Sequence, residues 1–164
     1  MLGKLLVVVC ALAGLGLAVR LYMGRAAEDR LLPQERVAIR ELRDPIPGNA
    51  FLACPPDYCA ATAAPSPVVA LPVERLAEEW TAMLGDEPHI AIVADEPAQH
   101  RLVTIQHTPL LRFPDVITVE FVALSPNRSS VAVYSRARYG SGDFGTNRRR
   151  VLAWLSRIAQ LAGQ

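Results

Sequence analysis

The residues whose types and spacing carry the most chemistry lie between Arg136 and Leu155, RARYGSGDFGTNRRRVLAWL. Gly140, Gly142 and Gly145 permit backbone angles that other residues resist. Asp143 stands where it can cap the following helix or set a favourable negative charge at its N-terminus. Arg148, Arg149 and Arg150 come directly after Asn147. Turn amides, a helix N-terminus and arginines together describe anion binding, with phospholipid headgroups as natural anions. The plainer reading of the arginine run is a solvated helix face, and that is the default.

Upstream, Glu120 falls in one strand and Arg136 and Arg138 in the next. A hairpin closing over Asn127-Arg128-Ser129 sets Glu120 opposite Arg136 and Thr118 opposite Arg138, on the face away from Ile117, Val119 and Phe121. This is either an exposed cross-strand ion pair worth at most about 1 kcal/mol or part of an anion site, and the ion pair is the simpler reading. The candidate anion and polar cluster is therefore Glu120, Arg136, Arg138, Asp143, Asn147 and Arg148.

Signatures of catalysis do not accompany it. No serine sits in a nucleophile elbow, and no phosphate loop or dinucleotide fingerprint occurs. His89, His100 and His107 are isolated and read as surface or strand residues. Asp115 and Glu120 lie on or near one strand, and nothing fixes them as an acid/base pair. The sequence assigns no catalytic residue, no cofactor and no metal. Seventeen Lys+Arg against sixteen Asp+Glu leave a net charge of +1, which argues against a nucleic-acid partner. From Ser125 onward, however, seven arginines face one acid, Asp143.

Cys54-Pro55-Pro56-Asp57-Tyr58-Cys59 is a proline-closed turn that brings two thiols near each other. In an oxidising compartment they form a disulfide, worth about 2 kcal/mol for so small a loop. Two free cysteines, or half of a zinc site lacking two ligands, are the alternatives. The disulfide is preferred, and it implies export.

The elements that must position these residues begin at the N-terminus. Leu5 to Val19 is an uninterrupted run of fifteen apolar or glycine residues between Lys4 and Arg20. It spans roughly 22 Å, short of a hydrocarbon core of about 30 Å. Continuing to Met23 gives about 28 Å, provided Arg20 snorkels and Tyr22 sits at headgroup level. Residues 1–23 thus read as an uncleaved membrane anchor, in preference to a signal peptide cut after Ala18 or Ala26. Arg20, Arg25 and Arg30 favour a cytoplasmic domain by the positive-inside rule; the cysteine pair favours the opposite side. Residues 24–48 read as a linker, a stalk in which Val37, Ile39 and Leu42 support at most a short element. Residues 49–164 form the globular domain.

Within it, Leu76, Trp80, Met83 and Leu84 share one face of a helix over Val73–Leu84, with Pro72 suited to its first turn. Strands follow at His89–Asp95, Arg101–Thr108, Val116–Leu124 and Val131–Tyr139, each by alternation. The final helix buries Val151, Trp154, Leu155, Ile158, Leu161 and Ala162. Extended backward, that face reaches Asn147 and then Phe144, so Asn147 points inward and needs a partner for its amide, expected on the preceding loop. The fold class is α+β: an antiparallel sheet of about four to five strands packed by two amphipathic helices, preceded by one N-terminal transmembrane helix.

Phe113-Pro114-Asp115, Thr118-Val119-Glu120, Tyr134-Ser135-Arg136 and Gly140-x-x-Asp143-x-Gly145-x-Asn147-Arg148 together resemble the bacterial domain of unknown function family 1499. The similarity runs from about Gly48 to the C-terminus, with Asn49 and Cys54-Pro55-Pro56 resembling the start of that domain. The resemblance implies a short N-terminal membrane segment and one exported domain, and it implies no catalytic residues.

The functional expectation is a membrane-anchored cell-envelope protein at the inner membrane, with the C-terminal domain in the periplasm and a non-catalytic binding or structural role. Its partners are the membrane, through residues 5–23, and a phospholipid or envelope protein. The alternatives are a carrier of lipid or small apolar ligands and an enzyme of unknown reaction.

Overall fold

A computed structural model describes the backbone of residues 2–26 and 30–161, and the side chains of these except 2, 3, 20 and 23–26. The chain runs through α1 (Leu2–Ala26), β1 (Ala50–Cys54), β2 (Ala64–Pro65), α2 (Val73–Gly85), β3 (Ile90–Glu96), β4 (Arg101–His107), β5 (Pro114–Ser125), β6 (Arg128–Ala137) and α3 (Thr146–Gln160). The strands form one six-stranded sheet in the order β2-β1-β6-β5-β4-β3. All neighbours are antiparallel except β1 and β2, so the sheet is mixed. The expected four or five strands become six because β1 and the two-residue β2 join the meander at β6. Neither segment alternates over enough residues to announce itself as a strand.

Both faces of the sheet are covered. On one, α2 and α3 pack Leu76, Trp80, Met83, Val151, Trp154 and Ile158 against Leu102, Ile117, Val119, Phe121, Val131 and Val133. Trp80 lies edge-on to both Trp154 and Phe121, with ring centroids 5.8 and 6.3 Å away. These side chains recur at helical spacing in the helices and at every second residue in the strands, so one apolar stripe meets one apolar face. Pro72 stands just before α2, as its N-cap.

The other face is covered by the segment read as a stalk. Ile39 is fully buried, and Val37, Leu42 and Ile46 pack with it on Leu52, Ala132 and Tyr134. Leu31 packs on a neighbouring cluster of Val103, Ile105 and Val116. Residues 30–47 form a strap whose apolar side chains are spaced irregularly. Two short 3-10 turns, Pro33–Glu35 and Ile39–Glu41, supply the bends, so no single period marks it.

Helix α1 is 25 residues long. Among the described residues no helix is long and apolar enough to cross a membrane. The continuous apolar run between Lys4 and Arg20 is fifteen residues. The side chains needed to extend it, Arg20 and Met23, lie outside the described residues, as do the side chains of Gly24-Arg25-Ala26 and all of Ala162.

Candidate functional site

The hairpin of β5 and β6 closes more tightly than a turn over Asn127-Arg128-Ser129, with Ser125 paired to Arg128 and an irregularity between Ala123 and Ser125. Glu120 therefore faces Ala132, Thr118 faces Tyr134, and Arg136 faces Val116. The expected Glu120–Arg136 and Thr118–Arg138 pairings are displaced by four residues. Because four is even, every side chain keeps its predicted face while losing its predicted partner.

That outer face is not exposed either. Glu120 is only 8% exposed. Its carboxylate accepts hydrogen bonds from the Ile39 backbone N–H at 3.1 Å and from the Tyr58 hydroxyl at 2.8 Å. Burial pushes the Tyr58 phenol pKa up, and the hydrogen bond to Glu120 adds to it. Tyr58 lies in the loop closed by the Cys54–Cys59 disulfide, and the Arg40 guanidinium stands 4.3 Å from the centre of its ring. Glu120 thus fastens both the strap and the disulfide loop to the sheet. Arg138 belongs to the strap as well: its Nε donates to Glu35 Oε1 at 2.6 Å, and Nη2 donates to Glu35 Oε2 at 2.9 Å and to the Arg30 carbonyl at 3.0 Å. Thr118, Tyr134, Arg136, Glu35 and Val37 line a cleft of about 170 Å³ between strap and sheet.

The densest polar constellation lies on the helix face, at the end of the sheet where β5 begins. Asp115 shares the parity of Ile117 and Val119, so it points to the helices and is 2% exposed. Arg150, from the first turns of α3, answers it: Nη2 donates to Asp115 Oδ2 at 2.6 Å. Arg150 also donates to Asn147 Oδ1 at 2.6 Å, to the Ser135 hydroxyl at 3.1 Å and to Gln106 Oε1. Burial raises the Asp115 pKa, and the charge and hydrogen bond of Arg150 oppose that shift.

Asn147 is fully buried as its helical position requires. Its amide finds partners at Asn49, Ser135 and Arg150 and not on the backbone of the preceding loop. Nδ2 donates to the Asn49 carbonyl at 3.1 Å, and Oδ1 accepts from the Ser135 hydroxyl at 2.5 Å. Asn49 in turn donates to the carbonyls of Ala137 and Gly140, at 3.1 and 2.7 Å. Asp143 caps the helix from outside it, accepting from the backbone N–H of Gly145 at 2.9 Å and of Asn147 at 2.7 Å. Burial acts to raise its pKa, but these donated hydrogen bonds outweigh burial and hold the carboxyl below its ordinary value. The left-handed Gly145, at φ 74°, makes the turn possible. Phe144 does not follow Asn147 inward. The helix begins at Thr146, and Phe144 takes a left-handed φ of 53°, which turns its ring into solvent.

Of the six candidate residues, the structure therefore brings Asp143 and Asn147 together and joins neither to Glu120, which lies on the opposite face. Arg148 is exposed, with its guanidinium 6.0 Å from the centre of the Phe51 ring. Arg150, Asp115, Ser135, Gln106 and Asn49 are the members that the sequence reading missed. A signal existed: an acid at core parity demands a cation, and Arg150 is one turn beyond an inward Asn.

Beside the row, a pocket of about 280 Å³ opens between His89, His107, Thr146 and Arg149. A more apolar groove of about 480 Å³ runs between α2 and β4 past Ala77, Leu102 and Phe121. Among the described residues no group of three or more His, Cys, Asp or Glu side chains is placed to hold a metal ion. Chemically, the row is a set of satisfied donors and acceptors that joins α3, β1, β4, β5 and β6.

No curated protein matches the chain. Among solved structures, a solution NMR structure from Thermobifida fusca is similar at 13% identity, over 69% of this chain and 95% of that one, with a TM-score of 0.40. A family model described as a protein of unknown function (DUF1499) matches residues 44–158, a span that holds Asn49, Gln106, Asp115, Ser135, Asp143, Asn147 and Arg150, and the chain belongs to that family.

Proposed function

We propose that this is a membrane-anchored cell-envelope protein whose C-terminal domain lies on the periplasmic side of the inner membrane and binds or scaffolds without catalysing a reaction. Helix α1 carries the reading. Leu5, Leu6, Val7, Val8, Val9, Leu12, Leu15 and Leu17 are each more than half exposed. A helix that is apolar all round is suited to lipid, since in water each Å² of such surface costs about 25 cal/mol. The short run can serve as an anchor when flanking arginines reach the interface. The Cys54–Cys59 disulfide supports an oxidising compartment, against the arginines that follow the helix.

The absence of a proposed reaction rests on the polar row, where Arg150, Asn147 and Asp143 are engaged with protein groups. The carrier alternative is supported by the groove beside Phe121 alone, since the interior between sheet and helices is filled by Trp80 and Trp154. A C-terminal alkaline-phosphatase fusion to the full chain tests location. An active fusion that stays in the membrane pellet after alkaline extraction is expected. An inactive fusion, or one released by alkali, overturns the reading.

A further inference from the structure

The end of the sheet from which β5 starts is unlike the rest of the surface. Paired residues fix which segments meet there. Pro114 pairs with His107, Asp115 with Ala137, and Ala50 with Arg136. The loop between β4 and β5 and the turn between β6 and α3 therefore leave the sheet side by side. The chain emerging from α1 arrives at the same end, because Arg138 donates to the Arg30 carbonyl and Tyr139 lines a pocket with Arg30 and Leu31.

This end presents large apolar side chains to solvent. Phe144 is 99% exposed and Leu110 is 73% exposed. Phe144 is not exposed because its loop is slack. The Asp143 carboxylate, just before it, accepts from the backbone N–H of Gly145 and Asn147, just after it, and Arg149 donates to the Phe144 carbonyl at 2.8 Å. Its backbone is left-handed, a conformation that a bulky side chain rarely adopts. The turn thus holds an aromatic ring out in water at a cost in both hydration and backbone energy.

Among the described residues the charges around these tips are one-sided. Arg30 and Arg148 are exposed here. Of the described acids nearby, Asp115 is engaged by Arg150, Glu35 by Arg138 and Asp143 by two backbone amides; Glu28 and Asp29, which precede Arg30 in the sequence, lie outside the described residues. Among the described residues, what faces outward is cationic with apolar points, which is the composition of a surface that rests on anionic headgroups and inserts its tips at the acyl boundary.

We propose that this end of the domain docks on an anionic lipid bilayer, with Phe144 and Leu110 inserted at the interface and Arg30 and Arg148 on the headgroups. The proposal rests on the membrane reading of α1, and it adds that the domain lies on the surface of that membrane instead of standing clear of it. The occupant is the bilayer because α1 ends at Ala26, only a few residues before Arg30, and brings this end to the membrane first.

The test uses the full chain carrying F144W, mixed with vesicles of phosphatidylcholine alone or of phosphatidylcholine with phosphatidylglycerol, each with bromine-labelled acyl chains. Trp80 and Trp154 are buried, so the F144W indole alone is open to the bromines. Flotation reads anchoring and bromine quenching reads docking. Expected are flotation with both vesicles, and a blue-shifted, quenched F144W signal that is strongest with phosphatidylglycerol. Adding R30S and R148S should reduce the docking equilibrium roughly fivefold per arginine. Flotation with an unquenched, water-like indole overturns docking and leaves the anchor. Flotation and quenching confined to anionic vesicles upholds docking and overturns the anchor. Failure to float with either vesicle overturns both. A blue shift without bromine quenching means that a second copy covers Phe144, and it overturns lipid docking.

Discussion

The Arg150 guanidinium stands 2.6 Å from the Asp115 carboxylate, between the apolar core and the end of the sheet, and both side chains are less than a tenth exposed. This pair joins the first turns of α3 to the first residues of β5. Cutting it from one side leaves a buried charge without a counter-ion. R150A should therefore cost about 3–5 kcal/mol, measured by urea unfolding, while a double replacement by apolar residues of similar size, R150M with D115L, should recover most of the loss. A double variant as unstable as R150A would mean that the pair is not what Arg150 chiefly supports.

Asn147 and Trp154 project from the same face of α3 but act by different physics. N147A takes away one of two donors to the Asn49 carbonyl, which keeps the Ala137 N–H, and the acceptor of the Ser135 hydroxyl proton, a loss of about 1–3 kcal/mol. W154A opens a cavity beside Trp80 and should cost about 3–5 kcal/mol. If both variants melt at the wild-type temperature, α3 is not fastened in this way.

Asp143 gives the domain an acid-sensitive cap. Its folded pKa is held below the ordinary 3.8 by the hydrogen bonds from Asn147 and Gly145. The unfolded chain then takes up the proton first. The stabilisation is fully present above about pH 4 and is lost as pH falls through the lowered folded value. D143A should cost about 1 kcal/mol at neutral pH and flatten the acid limb of the stability curve. An unchanged acid limb would show that the cap does not govern it.

Glu120 should control the strap. In E120A the Ile39 amide loses its buried acceptor, at a cost of about 1–3 kcal/mol. Hydrogen exchange should then quicken at Ile39 well before it does in β5. Equal protection of Ile39 in wild type and variant would remove the fastening role from Glu120.

The disulfide holds the loop that carries Tyr58. Reduction, or C54S with C59S, should cost about 2 kcal/mol. Most of it should persist in a Y58F background, because closing the loop acts mainly on the unfolded chain. A loss that vanishes in Y58F would assign the effect to the Tyr58–Glu120 hydrogen bond instead.

Periodicity was enough to determine much of this protein from sequence. The helical spacing of Leu76, Trp80, Met83 and Leu84, and of Val151, Trp154 and Ile158, named the buried faces of α2 and α3. Alternation in β5 named the face shared by Ile117, Val119 and Phe121. The family pattern around Asp143 and Asn147 was legible because capping and an inward amide are local consequences of residue type and position. What only the tertiary structure decided is who meets whom across long separations. The hairpin register depends on the geometry of one tight turn, and a four-residue slip leaves every face intact, so alternation is blind to it. The strap has no period, because it is shaped by the surface it covers. For the same reason Glu120, which looks from the sequence like half of a surface ion pair, is the buried acceptor for Ile39 and Tyr58, and Arg150, one cation in a run of three, is the partner that makes burying Asp115 tolerable.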